Sequence, residues 1–92
     1  MNKQTLLRFI NRILRYNDNP AFALSELYNI LKAQSAPAEL VSLVQDANFI
    51  DTDAQRMVRE KGDLSEADIR ELRRREEQRR EQERLYRDYG RC

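Results

Sequence analysis

The side chains in this sequence that could do binding chemistry are arginines and tyrosines near its two ends. Arg8, Arg12 and Arg15 recur at steps of four and three residues, which places them on one face of a helix. Guanidinium groups on one face can bind phosphates or carboxylates. The pattern predicts a contact with nucleic acid or with an acidic partner, beside the simpler alternative of an exposed face that touches the acidic middle of the chain.

The apolar residues around these arginines predict the other side of the same helix. Phe9 and Tyr16 belong to this apolar side and are expected to pack there. The whole side of the helical wheel is filled by Leu6, Leu7, Phe9, Ile10, Ile13, Leu14 and Tyr16. No row of exposed aromatic side chains is expected beside the arginines, so nothing on this face would stack on nucleic-acid bases. Nucleic-acid binding is therefore the second interpretation of this face and not the first.

The second group of candidate binding residues lies near the C-terminus, in and directly after a run of charged and polar residues. Positions 73–84 hold only Arg, Glu and Gln, and a cluster of Leu85, Tyr86 and Tyr89 comes directly after them. Arg and Tyr are enriched among the residues that dominate protein interfaces. We predict a contact with a larger protein through Arg79, Arg80, Arg84, Leu85, Tyr86, Arg87 and Tyr89.

Simpler explanations of this C-terminal segment stay open. It could be a solvated helix without a contact role, held by Glu–Arg pairs three and four residues apart. Its last turn could also fold back or fray. A stable coiled coil is not expected, because the seam that starts at Ile69 and Leu72 continues through Glu76, Arg79 and Glu83. A weak or antiparallel pairing of two such helices remains an alternative.

Catalytic and metal-binding patterns are not found. The chain has no histidine, which is the usual general base near neutral pH. Asp51 and Asp53 do not start a calcium loop, since Arg56 and Gly62 stand where that loop needs Gly and Glu. Cys92 is the only cysteine and has no partner for an internal disulfide. We expect a protein that is not an enzyme and has no cofactor or metal.

Charge is unevenly distributed over the 92 residues. Residues 1–17 carry four bases and no acid, residues 18–69 carry four bases and ten acids, and residues 70–92 carry nine bases and six acids. The segments therefore have charges of +4, −6 and +3, which add to the net +1. Basic ends around an acidic middle favour self-association or a partner of mixed charge, so a homo-oligomer is a further alternative.

Helical periodicity runs through the chain and predicts helices near 4–16, 20–34, 38–49 and 53–61, with a long fifth helix from 65. The expected starts are Asn19 before Pro20, and Thr52 with Gln55. The best-specified start combines Ser65 and Asp68 in a capping-box spacing with an apolar staple, Leu64 and Ile69. Gly62 is the expected stop of the fourth helix.

We predict an all-α fold with a small four-helix body, residues 1–64, followed by a long charged helical arm, residues 65–92. A body of this size is marginally stable alone, which favours a partner. The expected function is a protein-protein interaction module that regulates or inhibits a larger protein or complex, and the alternative is a nucleic-acid-binding accessory protein. Chains of this size without catalytic motifs often serve phages or mobile elements, an expectation that rests on no particular residue.

The sequence also predicts where the protein acts. No apolar run is long enough for a membrane span, and the N-terminus lacks the apolar block of a secretory signal. With a single cysteine, a reducing environment is the default. We therefore expect a cytoplasmic protein without a membrane contact.

Overall fold

The computed structural model describes the backbone of residues 2–89 and the side chains of residues 2–84. Over this range the chain forms helices without a strand: α1 (Lys3–Tyr16), α2 (Pro20–Ala33), α3 (Ala38–Phe49), α4 (Asp51–Lys61) and α5 (Glu66–Tyr89). The predicted all-α fold, with four helices followed by a long charged one, is confirmed. None of the helices within the described range is both long and apolar enough to cross a bilayer.

The core lies where α1 to α4 meet the start of α5. In α1 the buried stripe is Leu6, Ile10 and Leu14, none of which is exposed to solvent. The other helices and the α3–α4 and α4–α5 connections complete the core with Leu24, Leu31, Leu40, Leu43, Val44, Ala47, Ile50, Ala54, Val58, Leu64 and Ile69. The fifth helix is therefore tied to the body by the apolar residues at its beginning.

Two of the predicted helix boundaries are confirmed in detail. The Ser65 hydroxyl accepts a hydrogen bond from the Asp68 backbone N–H at 3.2 Å, and the Asp68 carboxylate accepts one from the Ser65 N–H at 3.0 Å. These reciprocal bonds form the capping box at the start of α5. Gly62 ends α4 with φ +99°, a conformation that glycine adopts far more readily than other residues.

The other two predicted starts differ from the structure. Asn19 stands at the N-cap of α2, but its side chain makes no capping hydrogen bond. The predicted capping box of Thr52 and Gln55 is wrong, because α4 already begins at Asp51, directly after α3. Gln55 instead donates to the carbonyl oxygens of Leu14 at 3.0 Å and Asn17 at 2.7 Å. Its amide thereby satisfies free carbonyls at the end of α1.

The charged part of α5 lies partly against α3. Arg73 donates to the Asp46 carboxylate at 2.6 Å, and the guanidinium carbons of Arg73 and Arg80 lie 4.8 and 4.3 Å from the centre of the Phe49 ring. Glu76 is buried with 8% exposure. Without one apolar side chain, residues 73–84 are predicted from the sequence to project into water or to lie along a charged partner. That prediction is wrong for Arg73 and Arg80, because an aromatic ring and one acid of α3 contact them.

Four of the Glu–Arg ion pairs predicted along α5 are present, whereas Glu77 pairs with Arg73 and not, as predicted, with Arg80. Glu71 contacts Arg74 at 2.5 Å and Arg75 at 3.2 Å, and Glu76 contacts Arg79 at 2.7 Å and Arg80 at 3.2 Å. Such pairs support a helix whose outer side is fully solvated. Residues 81–84 are exposed on all sides.

Candidate functional site

A groove of about 370 Å³ runs along the outer side of α1 and ends at the α4–α5 connection. Its lining residues are Thr5, Arg8, Phe9, Asn11, Arg12, Arg15, Tyr16 and Asp63. The structure thus brings the three arginines of the predicted anion-binding face into one concave surface. The same surface also contains two aromatic rings.

These aromatic side chains correct a prediction from the sequence. Phe9 is 44% exposed and Tyr16 is 75% exposed, so the expectation that both pack into the core is wrong. The reason is angular, because each residue turns the helix by about 100°. Phe9 stands one residue before the buried Ile10 and Tyr16 stands two residues after the buried Leu14. Both rings therefore leave the core stripe and face the groove.

The end of the groove is held by a buried hydrogen-bonded contact. The Asn11 side-chain amide donates to the Leu64 carbonyl at 2.9 Å, and its oxygen accepts from the Leu64 N–H at 2.7 Å. Its amide nitrogen also donates to the carbonyl oxygen of Leu7 at 2.9 Å. With Leu64 fixed, the neighbouring Asp63 stands beside α1 and forms an ion pair with Arg15 at 3.1 Å.

The positive charges of α1 differ in how far they are already neutralised. Lys3 pairs with Glu39 and with Glu66, and these hydrogen bonds raise the pKa of Lys3 above its ordinary value. In the part of the chain that the structure describes, Arg8 and Arg12 form no ion pair and are exposed to solvent. Two guanidinium groups are therefore available to an incoming anion.

The chemistry that this arrangement offers is binding. Exposed guanidinium groups supply charge and hydrogen-bond donors, and the two rings supply flat apolar area with a phenolic hydroxyl. The acid of the groove, Asp63, is occupied by Arg15. Among the described residues, no group of three or more acidic or cysteine side chains is arranged to hold a metal ion.

The predicted partner-binding residues of α5 have different surroundings. Arg79 and Arg80 are paired with Glu76, and Arg80 also stacks on Phe49. Arg84 is exposed. The side chains of Leu85, Tyr86, Arg87 and Tyr89 lie outside the described residues, so their role stays a prediction.

Sequence reasoning missed five lining residues of the groove: Thr5, Phe9, Asn11, Tyr16 and Asp63. A signal for the two rings was present, because Thr5, Phe9, Arg12 and Tyr16 follow one another at steps of four, three and four residues. That spacing describes a second helix-packing stripe beside the buried one. Asp63 carried no comparable signal, since its place depends on the contact between Asn11 and Leu64.

Comparison of the chain with known protein families, with curated proteins and with solved structures gives no match.

Proposed function

We propose that this protein is a non-enzymatic protein-protein interaction module that binds a larger protein through the groove of α1 and thereby regulates it. The observation that carries the proposal is the exposure of Phe9 and Tyr16 beside Arg8 and Arg12, which form no ion pair with any described residue. An exposed aromatic ring on a stable helix exposes apolar area to water until a partner covers it. A partner that covers the groove would therefore gain both from burying the two rings and from pairing with the two arginines.

The residue types of the groove support a protein partner. Tyr and Arg are the side chains most enriched at positions that dominate binding energy, because they combine large contact area with directed hydrogen bonds. The helix that carries them is anchored by Leu6, Ile10 and Leu14. Binding would therefore order few backbone residues, which reduces the entropic cost of association.

Nucleic-acid binding is the second candidate, and the exposed rings are the observation that favours it, since bases stack on aromatic side chains. The charges favour it less. Binding to a nucleic-acid backbone draws its affinity from basic side chains that neutralise several phosphates at once. Lys3 and Arg15 are already paired with acids, and Asp63 adds a negative charge at the end of the groove. An acidic protein segment needs fewer charges than a nucleic-acid backbone.

The test is affinity capture from the native cell extract with and without nuclease. The variant Arg8→Gln/Arg12→Gln removes two charges from the groove, and Arg56→Gln/Arg59→Gln removes two charges from exposed positions of α4. We expect a specific protein to be retained by the wild type and the α4 variant, and to be lost with the groove variant. Capture that disappears after nuclease treatment would support the second candidate.

The aromatic contribution has its own matched pair of variants. Tyr16→Ala removes a ring that is 75% exposed in the groove, and Phe22→Ala removes a ring that is 64% exposed on α2. Loss of a ring at a binding hot spot costs about 1 kcal/mol or more. We expect weaker capture with Tyr16→Ala only. Equal capture by both variants would remove the groove from the proposal.

The same capture experiment also tests the cluster that the sequence predicts at the end of α5, Leu85, Tyr86 and Tyr89. If that cluster is the main contact, Tyr86→Ala or Tyr89→Ala abolishes capture, while Tyr16→Ala does not. If the groove is the main contact, the result is reversed. Loss of capture with both kinds of variant would indicate a partner that spans the two surfaces.

A further inference from the structure

The exposed face of α1 has the spacing of a helix-packing seam. Thr5, Phe9, Arg12 and Tyr16 follow at steps of four, three and four residues, the alternation by which two helices lie side by side over several turns. This stripe lines the groove and is separate from the buried stripe, so α1 packs on the body with one side and presents a second seam to solvent.

The length of the seam limits what can cover it. From Thr5 to Tyr16 the helix rises by about 16 Å, which corresponds to roughly three turns of a helix placed alongside. An extended strand could cover the same distance, but the structure offers it no free sheet edge within the described residues. A helix in the groove is the recognition mode that the alternating spacing favours.

The charges of the seam select the kind of helix. Arg12 lies within the stripe, and Arg8 and Arg15 flank it seven residues apart, on one side. Positions that flank a seam set partner choice through ion pairs with the facing helix. A second copy of α1 would bring arginines opposite arginines, and this repulsion opposes a dimer through this face.

We propose that the segment bound by the groove is an acidic amphipathic helix of about three turns. Its apolar side chains cover Phe9 and Tyr16, and its carboxylates pair with Arg8 and Arg12. Arg15 already forms an ion pair with Asp63, so no carboxylate of the partner helix is needed there. This inference rests on the proposed function and specifies the chemistry of its partner.

The probe for this proposal is a pair of synthetic helical peptides. Both carry leucines at alternating three- and four-residue steps, and their flanking positions are glutamate in one and lysine in the other. Titration of the ¹⁵N-labelled protein should give amide shifts along residues 5–16 and at Asp63 with the glutamate peptide. Binding of the lysine peptide should be at least about tenfold weaker.

The variants connect this binding to the groove. Arg8→Gln/Arg12→Gln should weaken binding of the glutamate peptide about tenfold, whereas Arg56→Gln/Arg59→Gln should leave it unchanged. Their ¹⁵N spectra first establish that both variants are folded. Asp63→Asn removes the competing carboxylate at Arg15 and should strengthen binding of the same peptide.

Several outcomes would overturn the proposal. These are equal binding of both peptides, no binding, shifts that spare residues 5–16 and Asp63, or tighter binding of a single-stranded thymidine oligonucleotide than of the glutamate peptide. Concentration-dependent dimerisation through the same amides would make a second copy the occupant. If a captured cellular protein depends on Arg8 and Arg12 while the glutamate peptide does not bind, the proposed function stands and the acidic-helix inference is wrong.

Discussion

Leu64 directs both of its backbone hydrogen-bonding groups at a single side chain, that of Asn11, which lies 53 residues earlier in the chain. Asn11 is 5% exposed and Leu64 is 5% exposed, so this contact is shielded from water. A backbone segment without regular structure is thereby satisfied by one side chain of α1. The contact fixes the place at which α5 leaves the body.

Asn11→Ala should destabilise the fold by about 2 to 4 kcal/mol, because two buried backbone groups of Leu64 lose their partners. Urea unfolding followed by circular dichroism measures the change. The control is Asn29→Ala at an exposed position of α2, with an expected change within about 0.5 kcal/mol. A similar small change for both variants would show that water replaces the Asn11 amide without cost.

Phe49→Leu should loosen the charged part of α5 from α3. Leucine keeps apolar volume but removes the ring on which Arg73 and Arg80 stack, and each such contact contributes about 0.5 to 2 kcal/mol. We expect faster amide hydrogen exchange across residues 73–80, with little change in α1. Phe22→Leu, which replaces an exposed ring of α2, provides the control. Unchanged exchange would mean that stacking on Phe49 does not hold the charged part of α5 against α3.

Acid should weaken the ion pairs that Glu76 forms within α5. The hydrogen bond from Arg79, and then that from Arg80, lower the pKa of Glu76 below its ordinary value of 4.5. The ionised form therefore stabilises the fold fully above 4.5, and this contribution is lost as the pH falls through the lower pKa of the folded state. The bond from the Ser65 N–H lowers the pKa of Asp68 and acts in the same direction.

Glu76→Gln tests this linkage. The variant should be less stable than the wild type at neutral pH, and the difference should shrink on acidification because the wild-type carboxyl becomes neutral as well. Urea unfolding at a series of pH values measures it, with Glu60→Gln at an exposed position of α4 as the control. A difference that is independent of pH would assign the role of Glu76 to packing and not to charge.

Glycine should stabilise the fold at the ends of both α4 and α2, so removing it from the first and introducing it at the second should have opposite effects on stability. Gly62→Ala should destabilise the fold by about 1 to 3 kcal/mol, since φ +99° and ψ −161° form a backbone conformation almost restricted to glycine. The cause is backbone conformation alone, because a Cβ at this position would meet no atom within 4 Å.

Ser35 provides the reciprocal substitution. It has φ 53° at the end of α2, where the Ala36 N–H donates to the Leu31 carbonyl at 2.9 Å and closes the turn. Ser35→Gly should therefore stabilise the fold by up to about 1 kcal/mol. Thermal unfolding of both variants checks the pair, and a stabilising Gly62→Ala would contradict the backbone argument.

The local rules of sequence reading succeeded where neighbours in sequence settle the structure. The capping box of Ser65 and Asp68 and the stop at Gly62 depend only on residues a few positions apart. The start of α4 was misread because Gln55, assigned to a local cap, bonds instead to carbonyls about forty residues earlier. The sequence does not indicate which distant backbone carbonyl a side-chain amide will hydrogen-bond to.

The same distinction applies to the groove. Helical periodicity was enough to place the three arginines on one face, but it could not decide how wide the buried stripe of α1 would be. Leu6, Ile10 and Leu14 fill the core contact, which leaves Phe9 and Tyr16 outside it. How much of an apolar face is buried depends on the neighbouring helices, and this is tertiary information.

Arg80 stacks on Phe49 of α3. A force applied to α5 beyond Arg80 would therefore act on this contact with α3 before it acted on the connection at residues 62–65. That connection would be sheltered from the tension, and with it the wall of the groove that Asp63 forms beside α1. A partner that pulled on the far portion of the arm would strain the aromatic contact first and leave the surface of α1 undistorted.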